Sequence, residues 1–185
     1  MNPTAADQRG GRRVLVLGGA RSGKSAYAES LLSGHADVVY CATGRRAGED
    51  PEWAARIADH RSRRPPGWRT VETTDVAVEL RNTPRALLVD CLTLWLTAAM
   101  DDCGAWDDRP GHAGALAARI EALMEAWRDT TAHAVAVSNE VGWGVVPETR
   151  AGRMFRDELG VLNARFAGQA DEVWLVVAGI PQRLR

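Results

Sequence analysis

The chain has 185 residues, of which 45% are hydrophobic and 25% are charged, and its formal net charge is −1. This length is ample for one hydrophobic core but short for two full domains. A net charge so close to zero creates no global field for nucleic acid, and no apolar run approaches the roughly 20 residues of a membrane span, so we expect a small ligand.

Residues 1–13 are polar, contain Gly10-Gly11 and lack the apolar stretch of a signal peptide. They are predicted to be a disordered leader, which leaves residues 14–185 as a single domain. With no secretion signal and no membrane span, the protein is expected to be cytoplasmic.

Val14–Leu17 is a short apolar run typical of a buried strand, and Ala26–Leu32 is predicted to be a helix. The residues between them fit the pattern G-x-x-x-x-G-K-[ST], whose backbone N–H groups surround a polyphosphate while its lysine reaches the outer phosphates. Lys24, the only lysine in the sequence, is the predicted catalytic cation, and Ser25 would bind Mg²⁺. The sequence therefore predicts a nucleoside triphosphate site formed by Gly18, Gly19, Ala20, Arg21, Ser22, Gly23, Lys24 and Ser25.

Residues 53–64 are predicted to form a helix in which Arg56, His60 and Arg64 recur every four positions and share one face. Two arginines beside an imidazole favour its neutral form, which is nucleophilic. Among arginines that can hold phosphate oxygens, His60 could attack a phosphorus and carry a nucleotidyl group. From these residues alone, a solvated arginine-rich helix with an incidental histidine is the simpler interpretation.

Further apolar runs are suited to buried parallel strands, with helical patterns between them. The predicted strands are Val38–Ala42, Ala86–Val89, Ala134–Val137 and Val173–Val177, with a further short strand at Trp68–Glu72. Two helices have a regular core face, at Leu116, Ile120, Leu123 and Trp127 and at Phe155, Leu159, Leu162 and Phe166. This alternation predicts an α/β fold in which helices cover both faces of a mostly parallel sheet. Asp101–Gly114 is predicted to be a surface loop in which Trp106 makes an anchoring contact.

Asp90 follows the apolar run Ala86–Val89, so its carboxylate is expected at the carboxyl-terminal edge of the sheet, beside the phosphate loop. There it could bind Mg²⁺ or a metal-bound water, although it could also cap the helix that begins near Leu92, and both roles could hold at once. A GTPase switch is not supported. There is no second lysine for an N-K-x-D motif, and the D-x-x-G of Asp157–Gly160 falls inside a predicted helix.

More segments follow in order along nearly the whole chain after residue 13: Tyr40–Thr43, Ala55–Ile57 with His60 and Arg61, Arg64-Pro65, Trp68–Glu72, Ser138–Glu148 and Ala170–Pro181. Together with the phosphate loop they resemble the bifunctional adenosylcobinamide kinase and adenosylcobinamide-phosphate guanylyltransferase family of cobalamin biosynthesis. The resemblance implies a RecA-like P-loop NTPase fold and a homotrimer. It also implies two reactions that use Mg²⁺ with ATP or GTP: phosphorylation of adenosylcobinamide on its aminopropanol hydroxyl, then transfer of GMP to give adenosylcobinamide-GDP.

The same resemblance gives His60 a catalytic role, because members of this family carry GMP on a histidine. It further implies that GTP is contacted by Gly44, Arg45, Arg46, Arg61, Ser62, Arg63, Arg64 and Glu72. Two alternatives stay open: a P-loop kinase with a single activity on another hydroxyl substrate, and a nucleotide-sensing module without turnover.

Trp143 stands between two glycines in the segment after the strand Ala134–Val137. That segment is expected at the edge of the sheet where ligands of α/β proteins bind, so the indole could lie flat against the corrinoid. Ordinary packing against the helix that follows Pro147 is equally compatible with the sequence.

Overall fold

The computed structural model describes residues 11–44 and 64–185, and every element named below lies within them. The strands are β1 (Arg13–Gly18), β2 (Val38–Ala42), β3 (Arg69–Glu72), β4 (Ala86–Asp90), β5 (His133–Asn139), β6 (Glu172–Val177) and β7 (Ile180–Arg183). They form one sheet in the order β3-β2-β4-β5-β1-β6-β7. The first six strands are parallel, and β7 pairs antiparallel with β6. The predicted mostly parallel sheet is confirmed.

Helices cover both faces of this sheet, as predicted. In the described residues they are α1 (Lys24–Leu31), α2 (Val76–Asn82), α3 (Leu92–Cys103), α4 (His112–Asp129) and α5 (Arg150–Gln169). On one face α1 buries Ala28 in the same cluster as Val16. On the other face the remaining helices bury residues such as Leu96 and Leu162 against Leu15. Successive strand residues thus point into two separate cores, which explains why the strands are apolar without alternation.

The loop predicted over Asp101–Gly114 is shorter than expected at both ends. Helix α3 continues to Cys103, and α4 already begins at His112, so the connection covers only residues 104–111. Asp101 and Asp102 lie in the last turn of α3, where Asp102 accepts a hydrogen bond from Arg119 of α4 at 2.8 Å. Trp106 makes the predicted anchoring contact, since its indole packs against Phe155 with ring centroids 6.4 Å apart.

The position of β5 determines how the edge of the sheet is built. It lies between β1 and β4, so the strand before the phosphate loop and the strand that ends in Asp90 are not neighbours. All six parallel strands end at the same edge, and β5 pairs Asn139 with Gly18 on one side and Val137 with Asp90 on the other. Of the helices in the described ranges, none has both the length and the apolar character needed to cross a membrane.

Candidate active site

The loop between β1 and α1 bends where a side chain would collide with its surroundings. A Cβ on Gly18 would lie 2.6 Å from the carbonyl oxygen of Val176, and Gly23 has a φ of 91°, which favours glycine. The N–H of Gly179, in the turn between β6 and β7, donates to the carbonyl oxygen of Ser22 at 2.8 Å. This hydrogen bond ties the phosphate loop to that turn. Helix α1 therefore begins with its free N–H groups at the loop, the arrangement that binds phosphate in other proteins.

Lys24 is the first residue of α1, and it is buried. Its Nζ donates to the carbonyl oxygen of Gly19 at 3.1 Å, so the ammonium group is already held over the loop backbone. Ser25 comes next, and its Oγ lies 3.4 Å from Oδ1 of Asp90. Lys24 thus contacts the loop backbone, whereas Ser25 contacts the carboxylate of Asp90.

Asp90 is held by a residue that the sequence did not single out. The hydroxyl of Tyr40, on β2, donates to Oδ2 of Asp90. Burial and the adjacent charge of Asp90 raise the pKa of the Tyr40 phenol, so it stays a neutral hydrogen-bond donor. The N-cap position of α3, for which Asp90 was the predicted candidate, is occupied by Cys91. The carboxylate of Asp90 instead joins Ser25 to Tyr40.

The oxygen atoms of Ser25 and Asp90 fit a bound Mg²⁺. Magnesium binds oxygen ligands at about 2.1 Å in octahedral geometry, which places adjacent ligands about 3 Å apart. The separation of 3.4 Å between Ser25 Oγ and Asp90 Oδ1 is close to that value. Within the described ranges no three His, Cys, Asp or Glu residues form a cluster suited to a metal. Mg²⁺ in proteins commonly takes one or two protein ligands and completes its coordination with substrate phosphates and water.

Other predicted residues lie along the same edge. Gly44 follows Thr43, whose Oγ1 accepts from the N–H of Cys91 at 2.9 Å and thereby ties β2 to β4. Glu72 ends β3 and pairs with Ala42, so it too reaches the carboxyl-terminal edge.

Arg64 contacts Tyr40, the residue that donates a hydrogen bond to Asp90. Its guanidinium carbon lies 3.2 Å from the centroid of the Tyr40 ring, and its Nη1 donates to Oγ1 of Thr70 at 2.9 Å. The predicted helix that ends at Arg64 otherwise lies outside the described residues, together with the predicted site residues Arg45, Arg46, His60, Arg61, Ser62 and Arg63.

Two residues of this edge were missed by the sequence. Tyr40 lies in a buried apolar run, where only the need of a buried phenol for a partner hints at its contact with Asp90. Asn139 ends β5 beside Gly18 and is a polar residue at the end of an apolar strand. Both residues lie in segments that resemble the family, Tyr40–Thr43 and Ser138–Glu148, but their place in the site depends on the order of the strands.

The parallel sheet and its phosphate loop define a P-loop nucleoside triphosphate-binding protein. A solved ATPase of the type III secretion system of pathogenic bacteria has a similar fold, with a TM-score of 0.59, 15% identity and an alignment over 94% of this chain and 58% of the other. At that identity the similarity concerns the fold alone.

The chain belongs to the family described as cobinamide kinase / cobinamide phosphate guanyltransferase, whose model matches residues 14–184. It is 42% identical to the bifunctional adenosylcobalamin biosynthesis protein CobU of Escherichia coli K12, over 93% of this chain and 99% of that protein. It is 45% identical to the corresponding protein CobP of Pseudomonas aeruginosa, over 94% and 97% of the two chains. The family predicted from the sequence is thereby confirmed.

Proposed function

We propose that this chain phosphorylates adenosylcobinamide and then converts the phosphate to adenosylcobinamide-GDP. The observation that carries the proposal is the phosphate loop with Lys24 and Ser25 placed against Asp90, in a chain of this family. Both reactions act on a nucleoside triphosphate, and this loop is a site built for one.

In the kinase reaction the acceptor hydroxyl oxygen attacks the γ-phosphorus of ATP or GTP. The bond from that phosphorus to the β–γ bridging oxygen breaks, and the hydroxyl proton is released. The loop amides and Lys24 hold the phosphates in line for this attack, which is the main contribution a protein makes to phosphoryl transfer. Ser25 and Asp90 would hold Mg²⁺, which supplies positive charge to the phosphate oxygens.

In the guanylyl transfer a nitrogen of the His60 imidazole attacks the α-phosphorus of GTP. A nitrogen–phosphorus bond forms while the bond to the α–β bridging oxygen breaks, and pyrophosphate leaves. A phosphate oxygen of adenosylcobinamide phosphate then attacks the same phosphorus and releases the imidazole. In this proposal Gly44, Arg64 and Glu72, with the arginines near His60, bind GTP. The remaining parts of the proposal are a single domain over residues 14–185, a homotrimer and a cytoplasmic location.

Two radioactive labels separate the proposal from its alternatives. Protein incubated with α-labelled GTP and Mg²⁺ should retain label after denaturation, and the label should be acid-labile and base-stable, as a phosphoramidate of histidine is. Protein given γ-labelled nucleotide should transfer label to adenosylcobinamide. Transfer without retained α-label would indicate a kinase with one activity, and binding of GTP with neither product would indicate a sensing module.

Variants at the two predicted catalytic residues sharpen this test. Lys24→Ala should abolish both labels, because no other lysine exists to replace its charge. His60→Ala should lose the α-label and keep transfer of the γ-label, since only the guanylyl transfer needs the imidazole nitrogen. Label that survives in His60→Ala, or that resists acid, would mean that another residue is the nucleophile.

A further inference from the structure

Asn139 ends β5, the strand that separates the phosphate loop from Asp90. Its Cα pairs with that of Gly18, and Asp90 pairs with Val137, two residues earlier on the same strand. Neighbouring strands of a sheet lie about 4.8 Å apart. Asn139 is therefore one strand away from the first residue of the phosphate loop and one strand away from the strand that carries Asp90.

The side chain of Asn139 lies on the face of the sheet that holds the phosphate site. Val135 and Val137 belong to the buried cluster on the α1 face, together with Ala28 of that helix. Because side chains alternate along a strand, Asn139 points to the same face as Val137. This is the face on which α1 begins with Lys24, whose cation lies over the phosphate loop.

The backbone of Asn139 is fixed by buried polar side chains from two helices. Its N–H donates to Oγ1 of Thr93 on α3 at 2.9 Å, and its carbonyl oxygen accepts from Nδ2 of Asn163 on α5 at 3.0 Å. The next N–H along the chain, that of Glu140, donates to the carbonyl oxygen of Gly18 at 3.2 Å. Thr93 and Asn163 are both buried, and a buried polar group is costly unless it is hydrogen-bonded, so the fold uses both to hold this residue.

The side-chain amide of Asn139 is not used in the same way. Its Nδ2 donates to no residue in the described part of the chain, and its Oδ1 is buried without a hydrogen-bond partner there. A carboxamide offers two N–H donors and an acceptor, so this group can donate to a phosphate oxygen. The backbone of Asn139 is held rigidly, and its side-chain amide makes no hydrogen bond to a described residue. The amide is therefore preorganised to bind a ligand beside the phosphate loop.

We propose that Asn139 is a further catalytic residue of the kinase reaction, and that its carboxamide donates a hydrogen bond to the γ-phosphoryl group during transfer. This inference rests on the proposed function. Negative charge is spread over three oxygens of the γ-phosphoryl group as its bond to the bridging oxygen breaks, so a fixed donor at these oxygens lowers the barrier. In the guanylyl transfer His60 attacks the α-phosphorus, two phosphates away, and the donor contributes little to that reaction.

The test compares Asn139→Ala and Asn139→Asp with Ser138→Ala as the matched control. Ser138 is the preceding residue, points to the opposite face, and also has a buried hydroxyl without a hydrogen-bond partner in the described residues. The measurements are kcat and KM for transfer of γ-label to adenosylcobinamide, and the rate at which α-labelled GTP labels the protein. Circular dichroism and thermal unfolding check each variant's fold.

For Asn139→Ala we expect kcat of the kinase reaction to fall about 100-fold, as for loss of one fixed donor in other enzymes, while α-labelling stays near that of the wild type. Asn139→Asp keeps the shape and adds a negative charge beside the phosphates, so it should lose at least as much even if the alanine variant folds poorly. Ser138→Ala should keep both activities.

Three results would overturn the inference: an unchanged kcat in both Asn139 variants, an equal loss in Ser138→Ala, or a parallel loss of γ-transfer and α-labelling. A rise in KM for the nucleotide at constant kcat would likewise reject a catalytic role, because it would show equal binding of ground state and transition state. Failure of the wild-type protein to transfer γ-label would instead refute the proposed function, so the two failures are distinguishable.

Discussion

Removing one oxygen atom from Tyr40 tests how Asp90 is held. Tyr40 is 2% exposed, and its hydroxyl donates to Oδ2 of Asp90, so Tyr40→Phe leaves that half-buried carboxylate without this donor. The phenyl ring remains, and with it the surface on which the Arg64 guanidinium lies 3.2 Å from the ring centroid. The substitution therefore removes a hydrogen bond and little packing.

A hydrogen bond to a charged group contributes about 1.5–3 kcal/mol to stability. For a domain of this size, each kcal/mol corresponds to about 2–4 °C in Tm, so Tyr40→Phe should melt about 3–12 °C below the wild type. The Mg²⁺ concentration that gives half-maximal γ-transfer should also rise, because Asp90 loses one of the contacts that orient its carboxylate beside Ser25. If Mg²⁺ binding weakened by about 1.4 kcal/mol, the Mg²⁺ concentration required would rise about tenfold.

The assay is thermal unfolding by circular dichroism together with a Mg²⁺ titration of γ-label transfer. Tyr27→Phe is the control, because Tyr27 is the only other tyrosine in the sequence and its hydroxyl makes no hydrogen bond to a described residue. Its ring packs edge-on against Trp174 with centroids 5.2 Å apart, and phenylalanine would keep that contact. If Tyr40→Phe matched Tyr27→Phe in both Tm and Mg²⁺ requirement, the proposed support of Asp90 by Tyr40 would be refuted.

Three other predictions concern Asp90, Trp143 and the three cysteines. Asp90→Asn should fold normally by circular dichroism and lose Mg²⁺-dependent turnover, because a neutral amide binds this ion more weakly than a carboxylate; normal turnover would exclude a metal role. Trp143 is 74% exposed, so Trp143→Ala should raise KM for adenosylcobinamide and leave KM for GTP unchanged, whereas a fall in Tm alone would indicate packing. Burial raises the pKa of Cys41 to about 12 and that of Cys91 to about 11, so alkylation of the native protein at pH 8 should modify Cys103 first by mass spectrometry; equal modification of all three before unfolding would contradict this.

The sequence predicted the parts of the site whose chemistry is local. The phosphate loop could be read because consecutive residues Gly18–Ser25 carry all of its requirements, and Asp90 because a carboxylate after a buried strand must reach the edge of the sheet. Asn139 and Tyr40 could not be read in this way. Their contacts exist because β5 lies between β1 and β4 and because β2 lies beside β4, and strand order is a property of the whole fold. The ends of the 104–111 loop were missed for a similar reason, since Asp102 is helical next to an arginine of another helix.

The strand order also explains how one edge can serve two reactions. Two strand spacings, about 10 Å, separate β1 from β4, and Ser25 of α1 spans this distance, with its Oγ 3.4 Å from Asp90 Oδ1. Asn139, at the end of β5, lies between these two strands, where we propose that it contacts the γ-phosphate. On the other side of Asp90 follow β2 and β3 with Gly44, Glu72 and the Arg64 guanidinium, the described residues proposed to bind GTP for guanylyl transfer. The hydrogen bond from Tyr40 to Asp90 joins the two groups. We therefore expect a change at Tyr40 to affect both proposed reactions, and a change at Asn139 to affect only the kinase reaction.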